Sequence, residues 1–304
     1  MAELLHWLTE PLGYPFMVRG LTAVLIVGVV SGVLGTYIIL RGMALFGNAL
    51  AHAILPGVAV AYLLAGSSQW LFVGGLVAGI LTALGIGAIS KEGIQEDTAT
   101  GVIFVSMFAL GIALISTVRS YTVDLTHFLF GNVLGVSGSD LWLIGIFGML
   151  VLAAIVAFYK EFLVISFDPI LAQTLRLPAS FFNNLLLLLI AVTIVISLQA
   201  VGVALMSAML VTPAATASLL TRRLPVMMGL SAVVGAVSGV FGLYLSFYAN
   251  IASGPAIVLV CTLFFLLAFV LSPRRGLIQR WQANRRTTNV PPAEPALPVA
   301  GQKN

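Results

Sequence analysis

Long apolar runs that alternate with short polar islands constrain this chain more than any other feature. Each run is close to the roughly 20 residues that an α-helix needs to cross a bilayer. Only 8% of the residues are charged and 60% are hydrophobic, whereas a soluble domain has roughly 25% charged residues. The pattern therefore predicts an all-α polytopic membrane protein. The nine predicted spans are 17–40, 44–65, 70–89, 99–118, 140–158, 181–200, 203–221, 225–248 and 255–271.

The number of spans and their orientation follow from Pro213 and from the Lys and Arg residues. The seventh run is short and carries Pro213, so eight spans with one re-entrant segment is an alternative, because irregular backbone survives at membrane depth only inside protein or beside a cavity. With the N-terminus outside, every Lys and Arg except Arg19 and Arg119 is cytoplasmic. Cytoplasmic loops carry an excess of these cations. We therefore favour nine spans, with the N-terminus outside and the C-terminus in the cytoplasm.

The chain is predicted to divide into a transmembrane domain, residues 1–277, and a tail, residues 278–304. The tail is first basic and then Pro-rich, too polar to pack, and is expected to be disordered. Its basic part is expected to lie against anionic membrane lipid. The formal charge of +4 reflects this topology rather than nucleic-acid binding. Cys261 is the only cysteine, which excludes intrachain disulfides and thiolate metal clusters.

Two kinds of motif are absent from the sequence. It holds no GxxxxGK[ST] phosphate loop, so any ATP that drives transport must bind a separate subunit. The predicted spans hold no Asp or Glu except Asp140, which sits at the boundary of the fifth, and this weighs against a proton-coupled antiporter. No enzymatic activity is expected of this chain itself.

The segment GNALAHAILPG, residues 47 to 57, places Asn48, His52 and Pro56 four residues apart within the second apolar run. On a helix these positions share one face, and Pro56 leaves the carbonyl of His52 without its usual donor. Imidazole suits Zn, Mn, Fe or Ni, and an amide oxygen suits harder cations such as Mn, so Asn48 and His52 could form a weak transit site for a metal ion. The alternative is that His52 is a hydrogen-bonded packing residue.

A second proline lies in the seventh run, within MSAMLVTPAATASLL. This run and the GNALAHAILPG run cross in opposite directions, and each follows a GxAL sequence, GMAL at 42–45 and GVAL at 202–205. Paired interrupted spans of opposite direction point to a central pathway. Pro56, Thr212 and Pro213 are therefore candidates for pathway or gating residues, and the alternative is a plain kink.

The longest internal cytoplasmic connection is YKEFLVISFDPILAQTLRLPAS, residues 159–180. Asp168 and Pro169 form a helix start signal and Pro178 a stop, which predicts a helix of roughly two turns between them. Its apolar residues are too many for a solvated loop. They are Ile170, Leu171, Leu175 and Leu177. An amphipathic helix on the membrane surface and a helix that docks on a partner protein explain them equally well.

Together these segments resemble a known family. LRGMALFGNALAHAILPGVAVAY resembles the signature of the membrane permease subunit of ABC importers for zinc, manganese and iron. FDPILAQTLRLP, SLQAVGVALMSAMLVTPAATASLLTRRLP and SPRRGL are similar to that family at the matching places, so that the resemblance covers residues 15 to about 277.

The resemblance implies a bacterial inner-membrane permease that works as two copies with a cytoplasmic ABC ATPase dimer. An extracellular solute-binding protein would deliver the metal, with Mn²⁺ ahead of Zn²⁺ and Fe²⁺, and no cofactor would be bound permanently. The helix near Asp168, Pro169, Leu171 and Arg176 would be the coupling helix that contacts the ATPase. His52 and the residue at position 48 would hold the passing ion.

One position departs from the family pattern, which usually has Asp where this chain has Asn48. Asparagine keeps an oxygen donor but lacks the charge that attracts a divalent cation. Either this protein uses a weaker site, or the position was changed from Asp to slow or trap transport. Two other functions remain as alternatives: a secondary transporter or channel without an ATPase partner, and an ABC importer of a chelated metal.

Overall fold

The computed structural model describes residues 9–65, 68–117, 133–167 and 169–272. Within these ranges all regular structure is helical, with short 3₁₀ turns at Pro11–Gly13 and Val133–Gly135. The α-helices are α1 (Pro15–Leu40), α2 (Phe46–Ala53), α3 (Leu55–Ala65), α4 (Ser68–Lys91), α5 (Glu96–Ser116), α6 (Gly138–Ala157), α7 (Tyr159–Phe167), α8 (Pro169–Thr174), α9 (Ala179–Val201), α10 (Val203–Leu220), α11 (Leu224–Ala249) and α12 (Ser253–Leu271).

Nine segments of the described chain are long and apolar enough to cross a membrane. One of them, Phe46–Leu64, combines α2 and α3. Because the nine segments match the nine predicted runs, the prediction of an all-α polytopic membrane protein with nine spans is confirmed. The boundaries differ from the predicted ones by a few residues, as expected where helix ends depend on local capping.

The spans differ in how deeply they lie in the bundle. In the first and sixth spans, α1 and α9, 67% of the most apolar stretch is buried, whereas in α5 and α6 only 17% is buried. The first and sixth spans therefore form the centre of the bundle, and α5 and α6 lie at its edge. A second copy, lipid or another partner must cover the apolar surface of those two helices, because exposed apolar patches of this size mark a contact.

Small residues allow α1 and α11 to pack backbone against backbone. A Cβ atom on Gly28 would lie 2.9 Å from the carbonyl carbon of Gly235. One turn along, Ser231 donates a hydrogen bond from Oγ to the carbonyl of Gly32 at 2.8 Å. Lipid offers helices no hydrophobic drive to associate, so close packing and such interhelical bonds stabilise the pair.

The seventh span corrects one expectation. We predicted a helix broken by Pro213, yet α10 runs without interruption through Pro213, and the backbone instead breaks at Gly202, whose φ is +79°. Membrane helices tolerate proline where neighbouring helices and Ser or Thr side chains satisfy the backbone. The carbonyl that Pro213 leaves without its usual donor is that of Met209, four residues earlier, and the helix continues past it without a break. A positive φ, by contrast, suits glycine.

The connection between the fifth and sixth spans is more helical than predicted. Residues Tyr159–Phe167 form α7, and α8 follows over Pro169–Thr174. Arg176 ends α8 with a φ of +53°, and the N–H of Leu177 donates to the carbonyl of Ala172 at 3.0 Å. This is the left-handed termination with a six-to-one bond that commonly closes a helix. The predicted cap, Asp168, lies outside the described residues, as do residues 273–304, which include the predicted tail.

Candidate metal-transit site

The second span is divided at Ile54, which separates α2 from α3. Pro56 has no N–H to donate to the carbonyl of His52, and the N–H of Ile54 approaches that carbonyl instead. The N–H groups of Gly57 and Val58 both donate to the carbonyl of Ile54, at 3.1 and 3.2 Å. The break predicted from Pro56 is therefore present, and it lies next to His52.

Asn48 and His52 lie on one face of α2, as their four-residue spacing predicts. Asn48 is exposed and His52 is half-buried, although both lie within a span. Neither side chain forms a hydrogen bond with another described residue. An amide and an imidazole in this state would be costly in hydrocarbon, because each polar group there needs a partner. The arrangement does not fit a hydrogen-bonded packing histidine.

Two aromatic rings of α5 form one side of the site. The imidazole of His52 lies 5.7 Å from the ring centroid of Phe108 and 6.2 Å from that of Phe104. The two phenyl rings are 5.8 Å apart. We call this pair, Phe104 and Phe108, the aromatic wall. It packs against the imidazole and restricts the orientation of the ring.

A glycine brings α5 close to the break in the second span. A Cβ atom on Gly111 would lie 2.7 Å from Leu55 Cβ and 3.1 Å from the backbone nitrogen of Pro56. Phe104, Phe108 and Gly111 are spaced four and three residues apart, so they share one face of α5. Sequence reasoning missed all three. The only signal was this spacing within FVSMFALG, and it resembles that of many lipid-facing helices.

The helix that carries Thr212 and Pro213 also packs against α2. A Cβ atom on Gly47 would lie 2.6 Å from Leu210 Cδ2, which brings α10 beside the residue that precedes Asn48. Pro213 is buried and Thr212 is half-buried. The structure thus brings the two predicted proline spans together, although the contact is made by Leu210 rather than by Thr212 or Pro213.

Pro56 faces a different environment from Asn48. It lines an apolar groove of about 580 Å³ between α3, α4 and α5, together with Gly57, Val60 and Met107. Trp70 is the one aromatic residue in its lining. A groove with this lining offers a metal ion no ligands.

The described residues contain no group of three or more His, Cys, Asp or Glu side chains that could hold a metal ion. Asn48 and His52 would therefore supply at most one oxygen and one nitrogen from this part of the chain, and the carbonyl of His52 is a further oxygen nearby. Such a set would bind a divalent ion weakly, as suits an ion that must be released.

The segment after α7 presents apolar side chains at the end of the bundle that carries Arg41. We define the coupling segment as residues 167–176. Phe167, Leu171 and Leu175 in it are 55%, 44% and 56% exposed, and Arg176 is exposed beside them. Pro169 begins α8. Large apolar side chains at such exposure mark a surface that contacts either a membrane or another protein.

Nine apolar spans in the described part of the chain, with a polar face inside the second span and an exposed apolar segment between two others, define a polytopic helical membrane protein. Residues 13–272 match the ABC 3 transport family. The chain belongs to this family.

Individual relatives agree with this assignment. The chain is 45% identical to the manganese transport system membrane protein MntC of Halalkalibacterium halodurans, over 94% of this chain and 97% of the relative. It is 38% identical to the chelated iron transport system membrane protein YfeD of Yersinia pestis, over 93% of this chain and 94% of the relative. A solved structure, PsaBC from Streptococcus pneumoniae in complex with Fab, superimposes with a TM-score of 0.78 at 39% identity, covering 93% of this chain and 99% of that one. The predicted resemblance to permeases of metal-importing ABC transporters is confirmed.

Proposed function

We propose that the chain is the permease subunit of an ATP-driven importer of divalent transition metal ions, and that the ion passes the Asn48–His52 face of α2. The observation that carries this proposal is the pair of side chains itself: an exposed amide and a half-buried imidazole in the first half of the second span, with no hydrogen bond to another described residue. Mn²⁺ is the favoured cargo, then Zn²⁺ or Fe²⁺. The preference for Mn²⁺ draws support from relatives named for manganese transport.

The exposure of Asn48 also supports a second copy of the permease. In a single chain this amide is exposed within a span and has no hydrogen bond to another described residue, which is unfavourable in hydrocarbon. A twofold partner packed against α2 and α5 would enclose the site and cover the poorly buried surface of α5. The two copies would then share one aqueous passage at their interface.

The coupling segment is proposed to dock on a separate ABC ATPase, which would hydrolyse the ATP. This places the Arg41-bearing end of the bundle in the cytoplasm and the N-terminus outside the bacterial cell membrane, where an extracellular solute-binding protein would deliver the ion. Phe167, Leu171 and Leu175 would supply apolar anchors, and Arg176 a charged contact at the rim.

Uptake of radioactive Mn²⁺ in cells tests the proposal. We expect uptake to need the ATPase gene and to be abolished by His52→Ala. The matched control is Thr262→Ala, which removes a hydroxyl that bonds only to the carbonyl of Val258 on its own helix. Uptake that persists without the ATPase would instead support a channel or secondary transporter, and normal uptake by His52→Ala would place the ion path elsewhere.

A chelated metal is the second candidate cargo, because one relative is named for chelated iron transport. The groove beside Pro56 does not favour it, since a chelate would call for a large aromatic-lined cavity. Competition settles the choice: if a metal chelate outcompetes free Mn²⁺ for the partner binding protein, the chelate is the cargo.

A further inference from the structure

A buried arginine joins three separate elements at the end of the bundle that carries the coupling segment. Arg41 follows α1 directly, and its side chain is only 9% exposed. Its Nε donates to Ser166 Oγ at 3.3 Å, and its Nη1 donates to Glu96 Oε1 at 3.5 Å and to Asn183 Oδ1. From sequence this residue counted only as a loop cation, yet it contacts α7, α5 and α9 at once.

The electrostatics show that these contacts hold the charge in place. Burial lowers the pKa of Arg41, while the carboxylate of Glu96 acts in the opposite direction. A guanidinium stays protonated at neutral pH, so the charge is tolerated here only because it is paired. Breaking the pair would leave an uncompensated charge, which makes the positions of α5 and α7 interdependent.

The Arg41 cluster is not fully satisfied. Nη2 of Arg41 is buried and has no hydrogen-bond partner among the described residues. An unused buried donor or acceptor costs about 1–3 kcal/mol. A network that retains such groups can exchange partners, whereas a saturated one would resist any rearrangement.

Helix α7 is well placed to pass movement of the coupling segment to Arg41. Its residue Phe162 is fully buried and lies 5.9 Å from the ring of Tyr37 in α1 and 6.2 Å from that of Phe182 in α9. Ser166, the Arg41 partner, lies at the last turn of α7, one residue before the coupling segment begins. Displacement of that segment must therefore alter either the aromatic contacts or the Ser166–Arg41 bond.

Helix α5 connects the other side of the Arg41 cluster to the ion site. Glu96 is its first residue, and Phe104 lies eight residues further, about 12 Å along the axis at 1.5 Å per residue. Only 17% of the most apolar stretch of α5 is buried. Since so little of this helix is held by packing within the chain, its anchor at Glu96 has a large influence on where the aromatic wall lies.

We propose that Arg41 is a positioning residue that transmits movement of the coupling segment to α5, and through α5 to the aromatic wall beside His52. This inference rests on the proposed function, since it requires an ATPase that moves the segment and an ion that passes His52. Arg41 does not touch the ion. Its role is to couple ATP hydrolysis to passage of the ion.

The test uses the complete assembly of permease, ATPase and binding protein in proteoliposomes, and measures Mn²⁺ transported per phosphate released. Arg41→Lys keeps the positive charge but removes the guanidinium, whose several N–H groups contact three helices at once. Glu96→Gln keeps the shape of the side chain but removes its negative charge. We expect each to lower the ratio about tenfold, a typical coupling strength, with ATP hydrolysis within about twofold of the parent. Lys91→Gln, an exposed cation at the same end of the bundle, should leave the ratio unchanged.

A variant that combines Arg41→Lys with Glu96→Gln shows whether the two residues act together or independently. If Arg41 and Glu96 act as one unit, combining both substitutions should lower the ratio no further than either alone. Ser166→Ala, which removes only a hydroxyl, should give a smaller loss of the same kind. Agreement on the two single variants, their combination and Ser166→Ala supports the proposal.

Three results would overturn it. An unchanged ratio in both single variants, a parallel loss of hydrolysis and transport, or failure to assemble on size-exclusion chromatography would each give Arg41 a purely structural role. Failure of the proposed function has a different signature: the unmodified assembly would hydrolyse ATP without moving Mn²⁺, or His52→Ala would transport normally. The inference would then fall with it.

Discussion

The ring of Phe108 lies edge-on to the imidazole of His52, with the ring planes 74° apart and the centroids separated by 5.7 Å. Edge-to-face contacts of this kind contribute about 0.5–1.5 kcal/mol beyond area burial. The contact fixes which way the imidazole nitrogens point, so it should influence the ion even though a phenyl ring cannot ligate it.

Phe108→Leu is therefore expected to weaken apparent Mn²⁺ affinity while leaving the protein folded. Loss of the ring edge should raise the half-saturating Mn²⁺ concentration about two- to tenfold, as the energy of one aromatic contact implies. Uptake assays across a Mn²⁺ titration measure this. Phe241→Leu is the matched control, because Phe241 is 60% exposed on α11. An equal effect of both substitutions would mean that Phe108 matters only as apolar surface.

Asn48→Asp should strengthen ion binding. The substitution keeps an oxygen at the same place and adds the charge that a divalent cation prefers. We expect the half-saturating Mn²⁺ concentration to fall about tenfold, which corresponds to ~1.4 kcal/mol, and release to slow. Uptake titrations and metal content of the purified permease check both effects. Unchanged metal content and affinity would contradict a role for position 48 as a ligand.

Gly35→Ala should destabilise the bundle. A Cβ atom at this position overlaps the carbonyl oxygen of Leu210 and would lie 3.1 Å from Ala214 Cβ. Because backbone cannot move aside cheaply, we expect a loss of about 1–3 kcal/mol in the free energy of unfolding. Thermal unfolding in detergent, followed by size-exclusion chromatography, measures it.

Gly145→Ala provides the comparison for Gly35→Ala. A Cβ atom on Gly145 would meet nothing within 4 Å, and alanine favours helix by up to about 1 kcal/mol over glycine. The control should therefore be neutral or slightly stabilising. Equal destabilisation by both substitutions would exclude the close approach of α1 and α10 as the cause.

The spans could be predicted from sequence because the length of an apolar run is a local property. The effect of a proline is not local: Pro56 lies next to a break, whereas Pro213 lies inside an unbroken helix. The aromatic wall escaped prediction for the same reason, since Phe104 and Phe108 meet His52 across more than fifty residues of chain. Arg41 looked like a loop cation because its partners come from three other elements.

The candidate pair Asn48 and His52 was recognisable from sequence, since polar residues in an apolar run at helical spacing are rare. The exposure of Asn48 was not recognisable, because it depends on what packs against α2, and only the folded bundle shows that nothing in the described part of the chain covers it. That exposure is what supports the proposed second copy of the permease, which a one-chain sequence pattern does not report.

Leu171→Ser together with Leu175→Ser is expected to separate the permease from its ATPase. Both side chains are about half exposed at the same end of the bundle, and truncation of a central apolar anchor typically costs about 2 kcal/mol or more in binding. Co-purification of the ATPase should fall at least tenfold, with Mn²⁺ uptake lost in parallel, while the permease still inserts and elutes normally. Leu263→Ser with Leu266→Ser is the matched control, because these residues are similarly exposed on the last span. If the coupling-segment variant keeps both its ATPase and its Mn²⁺ uptake, the segment does not dock on the ATPase, and an interfacial membrane helix is favoured instead.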